Sequence, residues 1–297
     1  MTANHDLIVL SAGSAGLATA LRAAQHGARV ALLDPAPPGG TCVHRGCVPK
    51  KALWFAAQWA QTQRLAQAIG FAGAPGTLDW AHFRSLRARH IDAIAGRYAQ
   101  RLQQAGVQRL AYSGRFIAAD TIELDDGTRL QAPQIVIATG ARPRRLALPG
   151  FELGMVSDDM FALTARPQRV AIVGGGYVAV EFAGMLQALG SEVELLARGA
   201  LLESFDQELV QALTQQMAAH GVRITGNSAI RAAPAACGWT MLRRPQRAGL
   251  TTRCCGRSGA CPMPIGSGWR RSACNWTSAA MWSPMRSRTP AAPASTR

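Results

Sequence analysis

A short apolar strand that runs into a small-residue turn and straight on into a helix occurs twice in this chain, and such a unit has few ways to fold. In the first copy Asp6 to Leu10 is the strand, Ser11-Ala12-Gly13-Ser14-Ala15-Gly16 the turn and Leu17 to His26 an amphipathic helix. A second strand, Arg29 to Leu33, ends in Asp34. This βαβ order lets a pyrophosphate approach a helix N-terminus, while an acid closing the second strand holds a ribose hydroxyl. Gly13, Ser14, Gly16 and Asp34 are therefore candidate nucleotide contacts. Ser11 stands where the first glycine of the fingerprint belongs, so a Cβ sits at the tightest point of the turn.

The second copy has no such departure. Arg169 to Val173 is the strand, Gly174-Gly175-Gly176-Tyr177-Val178-Ala179 the turn, Val180 to Leu189 the helix and Glu192 to Ala197 the next strand. Gly174, Gly176 and Ala179 fit G-x-G-x-x-[G/A]. This second strand closes on Ala197-Arg198, and an arginine there suits the 2′-phosphate of NADP where an acid would suit NAD. Glu203, five residues on, opposes that preference because it would repel a phosphate.

Between the two units lies Gly39-Gly40-Thr41-Cys42-Val43-His44-Arg45-Gly46-Cys47-Val48-Pro49-Lys50-Lys51. In a cytosolic chain two cysteines this close are more often catalytic or metal-binding than structural. Zinc wants a second pair, and His44 alone completes nothing, so no metal is expected. A redox pair is the favoured reading and a buried, inert pair the bland one.

The net charge of +15 suggests nucleic acid until its distribution is read. Residues 231–297 hold 11 Arg and no Lys, Asp or Glu, so 21 of the 32 basic residues face all 17 acids in the part before them. Cys237, Cys254, Cys255, Cys261 and Cys274 also fall in that last stretch, among Trp, Pro, Ser and Thr without hydrophobic periodicity. The first 230 residues are thus a mildly basic globular sequence, with no nucleic-acid partner expected. No apolar run reaches the roughly 20 residues of a membrane helix, and a soluble cytoplasmic protein is the expectation.

The string G-G-T-C-V-x-x-G-C-V-P-K-K resembles the redox-active site of the class I pyridine nucleotide-disulfide oxidoreductases, with Arg45 and Lys50-Lys51 in the wording of the glutathione reductase branch. Gly176 to Gly184, Ser204-Phe205-Asp206 and Ala138-Thr139-Gly140-Ala141-Arg142-Pro143 agree with that branch. The resemblance covers residues 5 to about 230. It implies an α/β fold of two Rossmann-like three-layer domains, a FAD domain over 1–146 carrying the cysteines and an NAD(P) domain over 147–230. It also implies FAD and NADP(H) as cofactors, a small-molecule disulfide such as glutathione disulfide as substrate, and a homodimer for the intact family member. Cys47 becomes the thiolate beside the flavin and Cys42 the outer thiolate that attacks substrate. Lys50, paired with Glu181, places positive charge near the flavin, and Tyr177 covers the nicotinamide pocket. Gly40, Thr41, Thr139 and Gly140 join the flavin contacts, and Arg198 the NADP contacts. Sister reductases for another disulfide or a metal ion are the alternative within the family, and a non-catalytic nucleotide-binding fragment the alternative outside it.

The tail departs from the family pattern in a way that can be tested on paper. If the third base of each codon is joined to the first two of the next, with allowed synonymous codons, Thr251 to Pro264 becomes D-A-V-L-W-A-V-G-R-V-P-N-A. Arg288 to Arg297 becomes N-T-S-G-A-R-V-Y-A in the same frame. These resemble, in order, the family's A-x-G-R-x-P-N turn and its T-S-x-x-x-x-Y-A run. The expectation is a frame slip between residues 231 and 251, a disordered out-of-frame tail over 231–297, and a product that ends before the dimerisation domain. Such a product would lack half of the FAD site and the catalytic His, and would show little disulfide reductase activity.

Overall fold

The computed structural model describes residues 3–145, 151–226, 228–232, 239–243, 280–282 and 285–287. They form two compact units, one of residues up to 56 together with 76–142 and those from 286, the other of 57–75 together with those from 143 to 285. The expected frame slip and disordered tail over 231–297 fall, apart from residues 231–232, 239–243, 280–282 and 285–287, outside the described residues.

The first unit opens with β1 (Ala3–Asn4), β2 (Leu7–Leu10), α1 (Ser14–Gln25), β3 (Val30–Leu33), α2 (Gly40–Arg45) and the start of α3 (Cys47–Ala68). It continues through α4 (Trp80–Gln104), β4 (Gln108–Leu110), β5 (Gly114–Ala118), β6 (Thr121–Leu124), β7 (Arg129–Gln131) and β8 (Gln134–Ile137) to β9 (Ala141–Pro143). Strands β4-β3-β2-β8 form a parallel sheet, and β7-β6-β5 form an antiparallel meander to which β1 adds a parallel edge. Every residue of β2 and β3 is buried, because side chains of both parities find an apolar partner. On one face Leu7, Val9, Val30 and Leu32 pack with Leu17 and Ala20 of α1 and with Leu102 of α4. On the other Ile8, Leu10, Ala31 and Leu33 pack with Ile122, Leu124 and Leu130 of the meander. The unit is thus a three-layer sandwich of helices, parallel sheet and meander.

The second unit contains two short 3-10 turns, Phe151–Leu153 and Asp159–Ala162, before β10 (Arg169–Val173), α5 (Tyr177–Ala188), β11 (Glu192–Leu196), α6 (Gln207–Ala219) and β12 (Arg223–Thr225). Strands β13 (Ser228–Ala232), β14 (Trp239–Arg243), β15 (Ala280–Trp282) and β16 (Met285–Ser287) complete the described chain. Strands β12-β11-β10-β15 make a second parallel sheet. Phe182 on α5 is fully buried and meets Phe161 with ring centroids 5.6 Å apart.

Both α1 and α5 start three residues earlier than the periodicity predicts, at Ser14 and Tyr177, with Gly13 and Gly176 as N-caps. The last three residues of each turn already have helical backbone, because the small-residue fingerprint that reads as a turn runs on into the first turn of the helix. Among the described residues no helix is long and apolar enough to cross a membrane.

Candidate functional site

The first turn is held by its backbone. The Ser11 N–H donates to the Leu33 carbonyl at 2.7 Å, closing β2 against β3. Ser11 has φ of +84°, in the left-handed region that favours glycine, at a cost of about 1–2 kcal/mol for a residue with a Cβ. Asp34 meets it there. Its Oδ2 accepts from the Ser11 hydroxyl at 2.9 Å and from the Ala12 N–H at 2.7 Å, and its Oδ1 accepts from the Ala36 N–H at 2.9 Å. Gly16 is obligatory, since a methyl group there would come within 1.8 Å of the Ser11 carbonyl oxygen.

The helices that follow the two turns differ from α4 and α6 in their caps. Asp79 caps α4 and Asp206 caps α6 through side-chain carboxylates. Gly13 and Gly176 provide no side-chain cap, and neither α1 nor α5 has an acid in its first turn. Both helices therefore start without a carboxylate that would compete with an anion, and Ser14 is exposed on the first of them. These open helix starts and the close glycine approaches fit the phosphates of a dinucleotide.

The cysteine segment is built onto the first turn. The Gly39 N–H donates to the Ala12 carbonyl at 2.8 Å, and a methyl group on Gly40 would come within 2.6 Å of the Gly13 Cα. Gly39 and Gly40 have φ of +126° and +57°. With Thr41 exposed at its start, α2 carries Cys42, breaks at Gly46 and restarts as α3 at Cys47. Gly46 was not singled out in the sequence, yet a side chain there would meet the Thr41 carbonyl at 2.9 Å. The break sets the two thiols side by side where one continuous helix would turn them apart. Both cysteines are free thiols, Cys42 half-buried and Cys47 exposed.

The Cys47 thiol is pushed above its ordinary pKa, chiefly by its hydrogen bond to Cys42 and then by burial. Lys50, one turn further along α3, acts in the opposite sense through its positive charge. Lys51 is engaged elsewhere, its Nζ 3.8 Å above the Trp54 ring. The adjacent lysines therefore differ, and Lys50 is the one whose charge reaches the thiols. Thr139 and Gly140 follow β8, whose end pairs with the end of β2, so they lie at the same carboxyl edge of the sheet as the Ser11 turn. Gly140 has φ of +67°.

In the second unit Gly174 takes φ of +136° without strain, and its N–H donates to the Leu196 carbonyl at 2.8 Å. Ala179 is buried beneath the turn, and Tyr177 and Glu181 are exposed on the first turns of α5. Arg198 is exposed just past β11, and Glu203 folds back onto the next residue: a methyl group on Gly199 would come within 2.6 Å of Glu203 Oε1. Lys50 and Glu181 belong to different units, and their pairing is an expectation from the resemblance. Among the described residues no group of three or more His, Cys, Asp or Glu could hold a metal ion.

Comparison with known proteins adds to this geometry. The chain is similar to the glutathione reductase of Nostoc sp., 37% identical over 78% of this chain and 50% of that protein, and to the glutathione reductase of Burkholderia cepacia, 40% identical over 74% and 49%. It is also similar to thioredoxin reductase SEP1 of Emiliania huxleyi, 37% identical over 74% of this chain and 47% of that protein. The chain spans about half the length of the curated relatives it matches. A match to the pyridine nucleotide-disulphide oxidoreductase family runs over residues 5–251, past residue 230 where the motifs end. With two strand-turn-helix units and a cysteine pair built against the first, the chain belongs to the pyridine nucleotide-disulphide oxidoreductase family.

Proposed function

We propose that this chain forms the cofactor-binding and redox-active part of an NADPH-dependent flavoprotein that reduces glutathione disulfide. The observation that carries the reading is the junction of Gly39 and Gly40 with the first nucleotide turn, because it ties the cysteine pair to the end of the sheet where a dinucleotide binds. Bound FAD and NADPH supply the hydride equivalent that reduces the disulfide of Cys42 and Cys47.

The remaining steps belong to the chain's own residues. Gly13, Ser14, Gly16 and Asp34, with Gly40, Thr41, Thr139 and Gly140, hold the flavin nucleotide. Gly174, Gly176, Ala179 and Arg198 hold the nicotinamide nucleotide, and Tyr177 covers its reactive end. Cys42 attacks one sulfur of glutathione disulfide and expels the first glutathione as thiolate. Cys47 then attacks Cys42, releases the second glutathione and re-forms the disulfide. Lys50, supported by Glu181, favours negative charge at the flavin and the thiols. A homodimer is the assembly proposed for the whole protein.

Glutathione is favoured over other disulfides by the names of two of the relatives, and thioredoxin by that of the third. The test is a half-reaction on the full chain loaded with FAD. NADPH added without oxygen should bleach the flavin band and give a long-wavelength charge-transfer band, which glutathione disulfide then removes. Cys47→Ser should abolish the charge-transfer band, while Cys42→Ser should keep it and block reoxidation. A flavin that NADPH does not bleach defeats the proposal, and reoxidation by oxidised thioredoxin alone transfers it to the other substrate.

A further inference from the structure

We propose that Ser11 is a positioning residue, whose hydroxyl holds the Asp34 carboxylate at the ribose end of the first unit's nucleotide site. The inference rests on the reading that this unit takes the adenosine half of a dinucleotide.

Two facts stand together at Ser11. It occupies a left-handed backbone conformation, φ +84°, at a turn where glycine carries no penalty, and its side chain ends on the acid that closes β3. A strained residue whose side chain has a defined partner points to a role for that partnership. Its counterpart Gly174 has the same backbone task, its N–H donating to Leu196 as that of Ser11 donates to Leu33. Past β11, however, the residue in the place of Asp34 is Ala197, which offers no carboxylate. The serine is therefore found where it has an acid to bind and is absent where it has none.

The hydrogen bonds of Asp34 say what this does. A carboxylate offers about four lone-pair positions. Ser11 and Ala12 take the two on Oδ2 and Ala36 takes one on Oδ1, which leaves one acceptor position, on Oδ1. Asp34 is thus fixed at three points and presents one oxygen position to a ligand hydroxyl. Without the Ser11 hydroxyl the carboxylate keeps only its two backbone donors and gains an unfilled position on the wrong oxygen.

The experiment compares binding of ADP and 2′,3′-dideoxy-ADP to the full chain by calorimetry, for wild type, Ser11→Gly and Asp34→Ala. Glycine is at home at this φ, so the serine variant keeps the backbone. Wild type should prefer ADP, and Asp34→Ala should lose that preference, which marks the site as the first unit's. Ser11→Gly should lower affinity for ADP roughly threefold to tenfold, the effect of one hydrogen bond, and leave the dideoxy nucleotide unchanged. The double variant should be no worse than Asp34→Ala alone. If Ser11→Gly keeps the wild-type preference, or weakens both nucleotides equally, the positioning role is wrong and the serine only shapes the turn. If wild type binds neither nucleotide, or Asp34→Ala leaves the preference intact, the nucleotide reading of this unit fails and the inference with it.

Discussion

The two strand-turn-helix units make the same descent from sheet to helix with opposite chemistry at the strand ends. In the first, a strained serine is bound by an acid, and a glycine pair from the cysteine helix presses on the turn. In the second, the glycine is unstrained, Ala197 follows β11, and the charge past the strand is Arg198, with Glu203 folded onto Gly199. Even the lashing of adjacent strands is reversed. Asp6 ahead of β2 pairs with Arg29 ahead of β3 at 2.9 Å, whereas Arg169 of β10 pairs with Glu192 of β11 at 3.2 Å. One backbone solution thus carries different recognition chemistry, because the peptide groups make the turn and the side chains around it choose the ligand.

The sharpest way to break this comparison is at the third small residue of each turn. Gly16→Ala should cost about 3 kcal/mol or more, since the added methyl meets backbone that has no room to move. Ala179→Gly, the reciprocal change, should cost no more than about 1 kcal/mol. Denaturant midpoints at constant m would check both, and equal costs would dissolve the distinction. Next comes Gly40→Ala, which should destabilise the first unit by about 1–3 kcal/mol and weaken FAD retention through the crowded Gly13. Flavin content after gel filtration reads it, and full retention would unseat the junction as the key to the site.

A smaller effect lies in the thiols. Cys42→Ala removes the main cause that raises Cys47, so the remaining thiol should titrate at lower pH, while Lys50→Gln should move Cys47 higher. Because the folded chain holds the Cys47 proton more tightly than the unfolded one, the linked stability is present below the ordinary thiol pKa and is lost as pH rises through the raised value. Alkylation rate against pH reports the first effect and unfolding midpoints the second. The smallest effect is at the strand lashings. Arg29 holds Asp6 down to about 2, so what this pair adds is present above the ordinary carboxylate range and is lost only as pH falls through about 2. Both groups are exposed, so Asp6→Asn and Glu192→Gln should leave the neutral-pH midpoint close to wild type. A large shift in either would show that the strand ends depend on charge more than on their backbone ladder.

Much of the site was legible in the chain because backbone chemistry has a small vocabulary. Gly174, Gly176 and Ala179 are read from spacing alone, and the strand Arg169–Val173 is found as predicted. The starts of α1 and α5 are not legible there, because the fingerprint that reads as a turn overlaps the first turn of each helix. The Ser11 departure was visible as an unwanted Cβ, but nothing near it in the sequence reveals that its hydroxyl ends on Asp34, 23 positions away. Gly46 was passed over because its meaning is a close approach to Thr41 across a helix break.

The two turns, the cysteine pair and the residue types that nucleotide and redox chemistry need can be read along the chain, since all of these are short-range patterns. Which groups meet is a matter of the folded chain. It set Gly40 on Gly13, joined Ser11 to Asp34, left α1 and α5 without side-chain caps where α4 and α6 have them, and directed Lys50 rather than Lys51 to the thiols. The physical reason is that a covalent neighbour is fixed by the chain, whereas a packing neighbour is fixed by the burial of the sheet's two apolar faces, which brings distant carboxylates, glycines and thiols to one edge.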